Sequence, residues 1–111
     1  MTPEWVESEL TAESAILQAM VVGEAKPHPV ALLVPAANVS FRTLADAIAR
    51  ANARLPDYAR VRRWASFPEA PSFRDGLMTS NGRLRREEII ARYGALLESL
   101  YDEDTPVHAI S

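Results

Sequence analysis

A polar, flexible stretch, Met78–Arg86, carries the side chains of this sequence that are best suited to chemistry. It brings three arginines, Arg83, Arg85 and Arg86, to the start of the longest predicted helix. The start of a helix has unpaired N–H groups and a partial positive charge, so it disfavours cations and favours anions. The arginine cluster therefore predicts that an anion, such as a carboxylate or a phosphate, meets the chain here.

Length and composition restrict the classes of protein to which the chain can belong. Its 111 residues, 48% of them hydrophobic, predict one domain with one modest core. The net charge of −3 argues against broad nucleic-acid binding. The sequence has no cysteine, which excludes disulfides and thiolate metal sites and fits a cytoplasmic setting. It has no apolar run of about 18 residues, so no integral membrane segment is expected.

Three segments show the spacing of amphipathic helices, with apolar residues recurring every three or four positions. They predict helices from Pro3 to Leu10, from Phe41 to about Leu55, and from Arg85 to about Tyr101. Thr2 and Ser40 precede the first two helices and are residue types that cap helix starts. The predicted apolar stripe of the last helix comprises Ile89, Ile90, Tyr93, Leu96, Leu97 and Leu100.

Three short segments rich in strand-forming residues predict a sheet. They are Gln18–Gly23, Val30–Val34 and Val61–Phe67. The first two are separated by about six loop residues, which predicts an antiparallel hairpin. Their near-continuous apolarity indicates that at least one strand is covered on both faces. The order of the elements predicts an α+β domain, a small three-stranded sheet flanked by helices.

Four passages, in this order and spacing, resemble one protein family. Pro3–Leu10 is similar to the family's helix PE-x-(I/V)-E-x-x-L, and Thr79–Arg86 stands where the family has T-x-x-G-K-(L/I)-x-R. Ala19–Gly23 followed by Ala31–Pro35 resembles its two core strands, and Asn52–Val61 resembles the helix end before the third strand. The family is the C-terminal subdomain of the adenylate-forming enzymes. The branch with the closest resemblance is the long-chain fatty acyl-CoA synthetases.

The resemblance implies a lid on a much larger N-terminal domain, present in cis or in trans, that binds ATP, magnesium and the acid. Residues 1–101 would form the lid-like subdomain, and residues 102–111 an acidic, disordered tail. ATP, magnesium and coenzyme A are implied for the whole enzyme, and none of them for this chain by itself. We therefore expect the chain to be incomplete as a ligase without a large domain.

The resemblance also implies which residues form the site. Arg83 stands at the position of the family's loop lysine, which reaches the acyl carboxylate and the α-phosphate. It is the predicted catalytic residue, although a guanidinium is wider and differently directed than an ammonium. Asn81, Gly82 and Arg85 are the predicted substrate-binding residues of the same loop. No cluster of residues has metal-ligand spacing, so no metal site is expected.

Two functions from different classes are compatible with these features. The first is a detached lid subdomain of a fatty acyl-CoA synthetase-like acid–thiol ligase. The second is a non-catalytic interaction module, with the same fold, that binds a partner protein or forms a homodimer. A third, nucleic-acid binding through Arg83, Arg85 and Arg86 and through Arg60, Arg62 and Arg63, is disfavoured by the acidic net charge.

Overall fold

The computed structural model describes residues 2–23 and 28–101, and its architecture is α+β, as the sequence predicts. The described residues form three α-helices, three strands and one short 3-10 helix, Asp57–Ala59. The helices are α1 (Pro3–Thr11), α2 (Phe41–Ala53) and α3 (Arg86–Ser99), and the strands are β1 (Ile16–Val22), β2 (Val30–Pro35) and β3 (Arg63–Ser66). The predicted tail, 102–111, lies outside the described residues. None of the helices in the described part of the chain is long and apolar enough to cross a membrane.

The sheet has the strand order β1-β2-β3 and is mixed. β1 and β2 pair antiparallel, which confirms the predicted hairpin. β2 and β3 pair parallel, with Val30 opposite Arg63 and Leu33 opposite Ser66. A parallel pair needs a crossover connection, and α2 supplies it. The four residues of β2 from Val30 to Leu33 are all buried, so the central strand is covered on both faces, as predicted.

Alternation along β1 and β2 divides the core into two layers, because successive strand side chains point to opposite faces. One layer packs the sheet against α1 and α2, and the other packs it against α3. The first layer includes Ala19, Val21, Ala31, Leu33, Val6, Leu10, Leu44 and Ile48. The second includes Met20, Val30, Leu32, Phe67, Leu77, Ile89, Leu97 and Leu100.

Several element boundaries and one cap differ from the sequence prediction. β1 begins at Ile16, two residues before the predicted start, and α3 ends at Ser99. Ser40 caps α2 as predicted, because its hydroxyl accepts a hydrogen bond from the Thr43 N–H at 3.1 Å. Thr2 occupies the N-cap position of α1 as predicted, but its side chain makes no capping bond. The Thr2 carbonyl, not the hydroxyl, accepts the hydrogen bond from the N–H of Trp5.

β3 is shorter than predicted because the residue expected to begin it is held by a side chain. Asn52 of α2 donates to the Val61 carbonyl at 3.0 Å and accepts from the Val61 N–H at 2.9 Å. These two bonds occupy both backbone groups that a strand residue uses for pairing. Regular pairing with β2 therefore starts at Arg63.

Candidate functional site

Three of the four predicted site residues, Asn81, Gly82 and Arg83, lie on a small hairpin, Met78–Leu84, here called the Arg83 hairpin, and Arg85 follows it as the N-cap of α3. An isolated antiparallel bridge joins Met78 to Leu84 at its base. Inside it, the Thr79 N–H donates to the Arg83 carbonyl at 2.7 Å, and the Arg83 N–H donates to the Thr79 hydroxyl oxygen at 3.0 Å. The segment expected to be a flexible turn is therefore braced by its own hydrogen bonds.

Asn81 and Gly82 form the turn of this hairpin. The Gly82 N–H donates to the Thr79 carbonyl at 3.0 Å, which closes a four-residue turn. Asn81 accepts a hydrogen bond from the Thr79 hydroxyl. Gly82 has φ of +87°, a backbone angle that residues with a Cβ rarely adopt. In this structure Asn81 and Gly82 shape the turn next to Arg83, and their substrate contacts stay a prediction.

Replacing Gly82 with alanine tests whether this turn depends on its backbone angle. No atom lies within 4 Å of a Cβ built at Gly82, so the penalty comes from the positive φ alone. We expect the Gly82→Ala variant to lose about 1 kcal/mol of unfolding free energy, measured by chemical denaturation.

Gly94 provides the matched control for the Gly82 variant. It follows Tyr93, whose backbone angles (φ −110°, ψ 22°) interrupt α3, and it also has no atom within 4 Å of a built Cβ, but its φ is not in the positive range. Where the backbone angles suit both residues, alanine is favoured over glycine by about 0.4–1 kcal/mol, because it restricts the unfolded chain. The Gly94→Ala variant should therefore gain unfolding free energy where the Gly82→Ala variant loses it. Loss of equal size in both variants would contradict the role given to the Gly82 backbone angle.

The three arginines of the cluster have different surroundings in the fold. Arg83 is exposed, and among the described residues nothing pairs with its guanidinium. Arg85 donates to the Gly76 carbonyl at 3.3 Å and lies 3.7 Å from a carboxylate oxygen of Glu88. Arg86 is half-buried and makes two short bonds to other elements. Of the three, Arg83 alone offers a guanidinium that no described group occupies.

The anion that the sequence predicts for the cluster is, for Arg86, a carboxylate of this same chain. Arg86 Nη2 lies 2.6 Å from Glu7 Oε2, and Arg86 Nη1 donates to the Val21 carbonyl at 2.6 Å. Glu7 Oε2 also accepts from the Val21 N–H at 2.8 Å. The ion pair thus occupies both outward backbone groups of Val21 on β1, an edge strand. Covering such groups is one way in which proteins block strand edges.

Sequence reasoning did not identify Glu7 as part of this neighbourhood. The residue is separated from Arg86 by 79 positions, and nothing local in the sequence joins them. The only available signal was the second glutamate of the Pro3–Leu10 passage, whose type at that position belongs to the family pattern. The start of α3 is further neutralised by Glu87 and Glu88 in its first turn.

Asp75 shapes the chain just before the hairpin. Its carboxylate accepts hydrogen bonds from the N–H groups of Leu77 at 2.9 Å and Ser72 at 3.1 Å. Partial burial acts to raise the pKa of this carboxyl group, but the two N–H groups, the Ser72 side chain and the charge of Arg92 together outweigh it, so the pKa lies below its ordinary value. The next residues are fixed by Leu77, which is 2% exposed and whose carbonyl accepts from the Arg85 N–H at 2.8 Å.

A groove of about 470 Å³ lies behind Arg86, between α1, the end of β1 and α3. Its walls are mostly apolar and include Ile90, which is 41% exposed. The apolar and aromatic residues of its lining include Pro3, Val21, Val22, Ile90, Leu97 and Tyr101.

Arg60 and Arg62, which the nucleic-acid hypothesis would use, are engaged in local contacts. Arg60 donates to the backbone carbonyls of Asn52 and Leu55, and Arg62 pairs with Asp57 at 2.9 Å. These bonds secure the chain between α2 and β3. Within residues 2–23 and 28–101, no group of three or more His, Asp or Glu side chains is placed to hold a metal ion.

A family profile decides what kind of domain carries this hairpin. The profile of the AMP-binding enzyme C-terminal domain matches residues 1–105. The chain belongs to this family. A comparison with curated proteins finds no match.

Solved structures with the same fold agree with membership in the AMP-binding C-terminal family. The adenylation domain of a carboxylic acid reductase from Segniliparus rugosus, in complex with AMP and a co-purified carboxylic acid, aligns with a TM-score of 0.81 at 20% identity. That alignment covers 95% of this chain and 18% of the other. An anthranilate CoA ligase, AuaEII, in complex with anthranoyl-AMP aligns with a TM-score of 0.63 at 19% identity, over 83% of this chain and 18% of the other.

O-succinylbenzoate coenzyme A synthetase (MenE) from Bacillus subtilis is a third similar structure. It is 26% identical, with a TM-score of 0.54, and the alignment covers 79% of this chain and 17% of that one. The chain thus spans less than a fifth of the length of each of these three proteins. The comparisons confirm the predicted superfamily and subdomain, whereas the fatty acyl-CoA synthetase branch stays a prediction.

Proposed function

We propose that this domain is the lid of an adenylate-forming acid–thiol ligase and that Arg83 is its catalytic residue. In this proposal Arg83 contacts the acyl carboxylate and the α-phosphate when the lid closes on an ATP-binding large domain, in cis or in trans. The observation that carries the proposal is an exposed guanidinium, with no partner among the residues that the structure describes, on a braced hairpin within an AMP-binding C-terminal domain.

Electrostatics defines the role of Arg83 in adenylate formation. A carboxylate and a phosphate, both anionic, must approach each other, and a positioned cation offsets their repulsion and the charge that develops during transfer. The Arg83 hairpin offers one guanidinium at a turn, which fits a contact with the two reacting anions. It does not enclose a nucleotide, so ATP, magnesium and coenzyme A belong to the whole enzyme in this proposal. In this proposal Asn81 and Gly82 of the hairpin, together with Arg85 just after it, complete the substrate-facing surface.

The proposed acid is a fatty acid and the proposed location is the cytoplasm. Sequence resemblance to the long-chain acyl-CoA synthetases supports the fatty acid, and the absence of cysteine supports the cytoplasmic location. The pocket that selects the acid would lie in the large domain.

Reconstitution tests the proposal directly. The 111-residue chain is mixed with the large domain of a fatty acyl-CoA synthetase from which the lid has been removed. ATP, magnesium and a fatty acid are then added. Acyl-adenylate is trapped with hydroxylamine and is expected to exceed the amount formed by the large domain without the chain. A fusion of the chain to the same large domain tests the arrangement in cis. Replacing the fatty acid with benzoate tests which class of acid is used. No gain in either version, together with no association in sedimentation, would refute the lid proposal.

The groove behind Arg86 favours a second candidate, an interaction module that binds a partner or a second copy of itself. Exposed apolar surface of this kind often marks an interaction site. Sedimentation equilibrium over a hundredfold range of concentration separates the two candidates. A dimer at all concentrations favours a self-associating module, and a monomer at all concentrations favours a lid whose large domain is a separate subunit.

A further inference from the structure

We infer that Glu7 and Arg86 are positioning residues that hold the Arg83 hairpin in a fixed orientation on the sheet. The catalytic consequence of this inference rests on the proposed function, but the mechanical part does not. The ion pair joins three elements at one point, because Glu7 lies on α1, Val21 on β1, and Arg86 at the first position of α3. Neither residue is among those expected to touch substrate.

The Glu7–Arg86 pair and its two bonds to Val21 are here called the clamp. Glu7 Oε2 accepts from Val21 N–H at 2.8 Å and lies 2.6 Å from Arg86 Nη2, while Arg86 Nη1 donates to the Val21 carbonyl at 2.6 Å. The side chains are 19% and 33% exposed, so water screens the pair less than a surface pair. A planar guanidinium suits this task because it presents two donors in fixed directions.

The clamp lies close to Arg83 along the chain. Only Leu84 and Arg85 separate Arg83 from Arg86, and Arg85 has extended backbone angles, φ −94° and ψ 92°. A rotation of the hairpin about this junction would have to move the start of α3 or strain these two residues. On its other side the hairpin is held by the buried Leu77, whose carbonyl accepts from the Arg85 N–H. Arg86 and Leu77 together anchor both ends of the hairpin.

A second ion pair on α1 provides the matched control. Arg54, the residue that follows α2, donates to Glu9 Oε1 at 2.8 Å, and this pair joins α1 to the end of α2 without touching β1 or the hairpin. Both pairs tie α1 to another element, so removing either pair can lower stability. Only removal of the Glu7–Arg86 pair should change the motion of the hairpin.

The first experiment measures the motion of the hairpin in the complete chain by ¹⁵N relaxation. Glu7→Gln is the mild variant, because its amide oxygen can still accept from the Val21 N–H, and Arg86→Gln is the second variant. Order parameters of the Thr79, Gly82 and Arg83 amides are expected to fall from about 0.85 to below about 0.6 in both variants. Glu9→Gln should leave them unchanged. Order parameters in both clamp variants equal to those of the native chain would overturn the inference.

The second experiment asks whether the clamp acts through Arg83. In the reconstituted ligase, Glu7→Gln is expected to lower kcat about tenfold, the scale of one lost hydrogen bond to a charged group, with KM for the acid little changed. In an Arg83→Ala background the same change should have no further effect, because residues that act as a unit are not additive. An equal loss in both backgrounds would show a merely structural role and overturn the catalytic part.

The two experiments fail in distinguishable ways. If the native chain supports no adenylation but the clamp variants loosen the hairpin, the proposed function fails and the positioning stands. If the native chain is active and the hairpin keeps its order parameters in both variants, the positioning fails and the proposed function stands.

Discussion

Replacing Arg83 with alanine is expected to lower acyl-adenylate formation by about 100- to 1000-fold in the reconstituted ligase. Loss of one well-placed group that stabilises developing charge typically has an effect of this size. The side chain is exposed and, among the described residues, unpaired, so the substitution leaves no buried partner unsatisfied. The unfolding free energy should therefore change by less than about 0.5 kcal/mol. Hydroxylamine trapping measures the rate, and circular dichroism in denaturant measures the stability.

Two further variants sharpen the Arg83 result. Arg83→Lys restores the residue type of the family pattern at this position, and a higher rate than the native chain would indicate that an ammonium suits the site better. Arg42→Ala removes another exposed arginine, from α2, and should leave the rate unchanged. An Arg83→Ala variant as active as the native chain would mean that the hairpin does not reach the reacting groups.

Local patterns were sufficient to predict much of this fold. The apolar spacing predicted all three helices, the Ser40 cap is a one-residue signal, and the short loop between β1 and β2 predicted their antiparallel pairing. The turn at Asn81 and Gly82 that precedes Arg83 was also predictable, because it depends on residues close together in the chain. These features share one property, which is that their physical cause lies within a few residues.

The features that the sequence did not reveal depend on distant parts of the chain. The parallel pairing of β3 with β2 follows from how α2 crosses the sheet, and the shortened start of β3 follows from the side chain of Asn52. The partner of Arg86 lies 79 positions away on α1. For this reason the sequence predicted roles for Arg83 and Arg85 but no partner for Arg86, although in the fold Arg86 makes the shortest ion pair of the three.

Adjacent isoleucines in α3 show the same limit of local patterns. Ile89 and Ile90 both belong to the apolar stripe predicted for this helix, but Ile89 is fully buried and Ile90 is 41% exposed. Consecutive residues of a helix point about 100° apart, so a stripe wide enough for both leaves one of them at its border. Ile90 lies at that border, on the wall of the groove.

The Ile89→Ala variant is expected to lose about 2–5 kcal/mol of unfolding free energy, because the substitution leaves a cavity in the core layer under α3. A domain of this size is stable by only about 5–15 kcal/mol, so the loss is a large part of the total. Each kcal/mol lowers the melting temperature of a small domain by about 4–8 °C. Chemical denaturation at equilibrium and a thermal scan followed by circular dichroism both measure the effect.

Ile90→Ala is the matched control for the buried position. It removes the same atoms one residue further along, where water already reaches the side chain, so the expected loss is below about 1 kcal/mol. If the two variants lost equal free energy, α3 would have to be rotated about its axis relative to the sheet. Such a rotation would also move Arg86 at the start of the helix away from Glu7 and Val21. The pair of isoleucines therefore tests, by stability alone, the orientation of the helix on which the Arg83 hairpin depends.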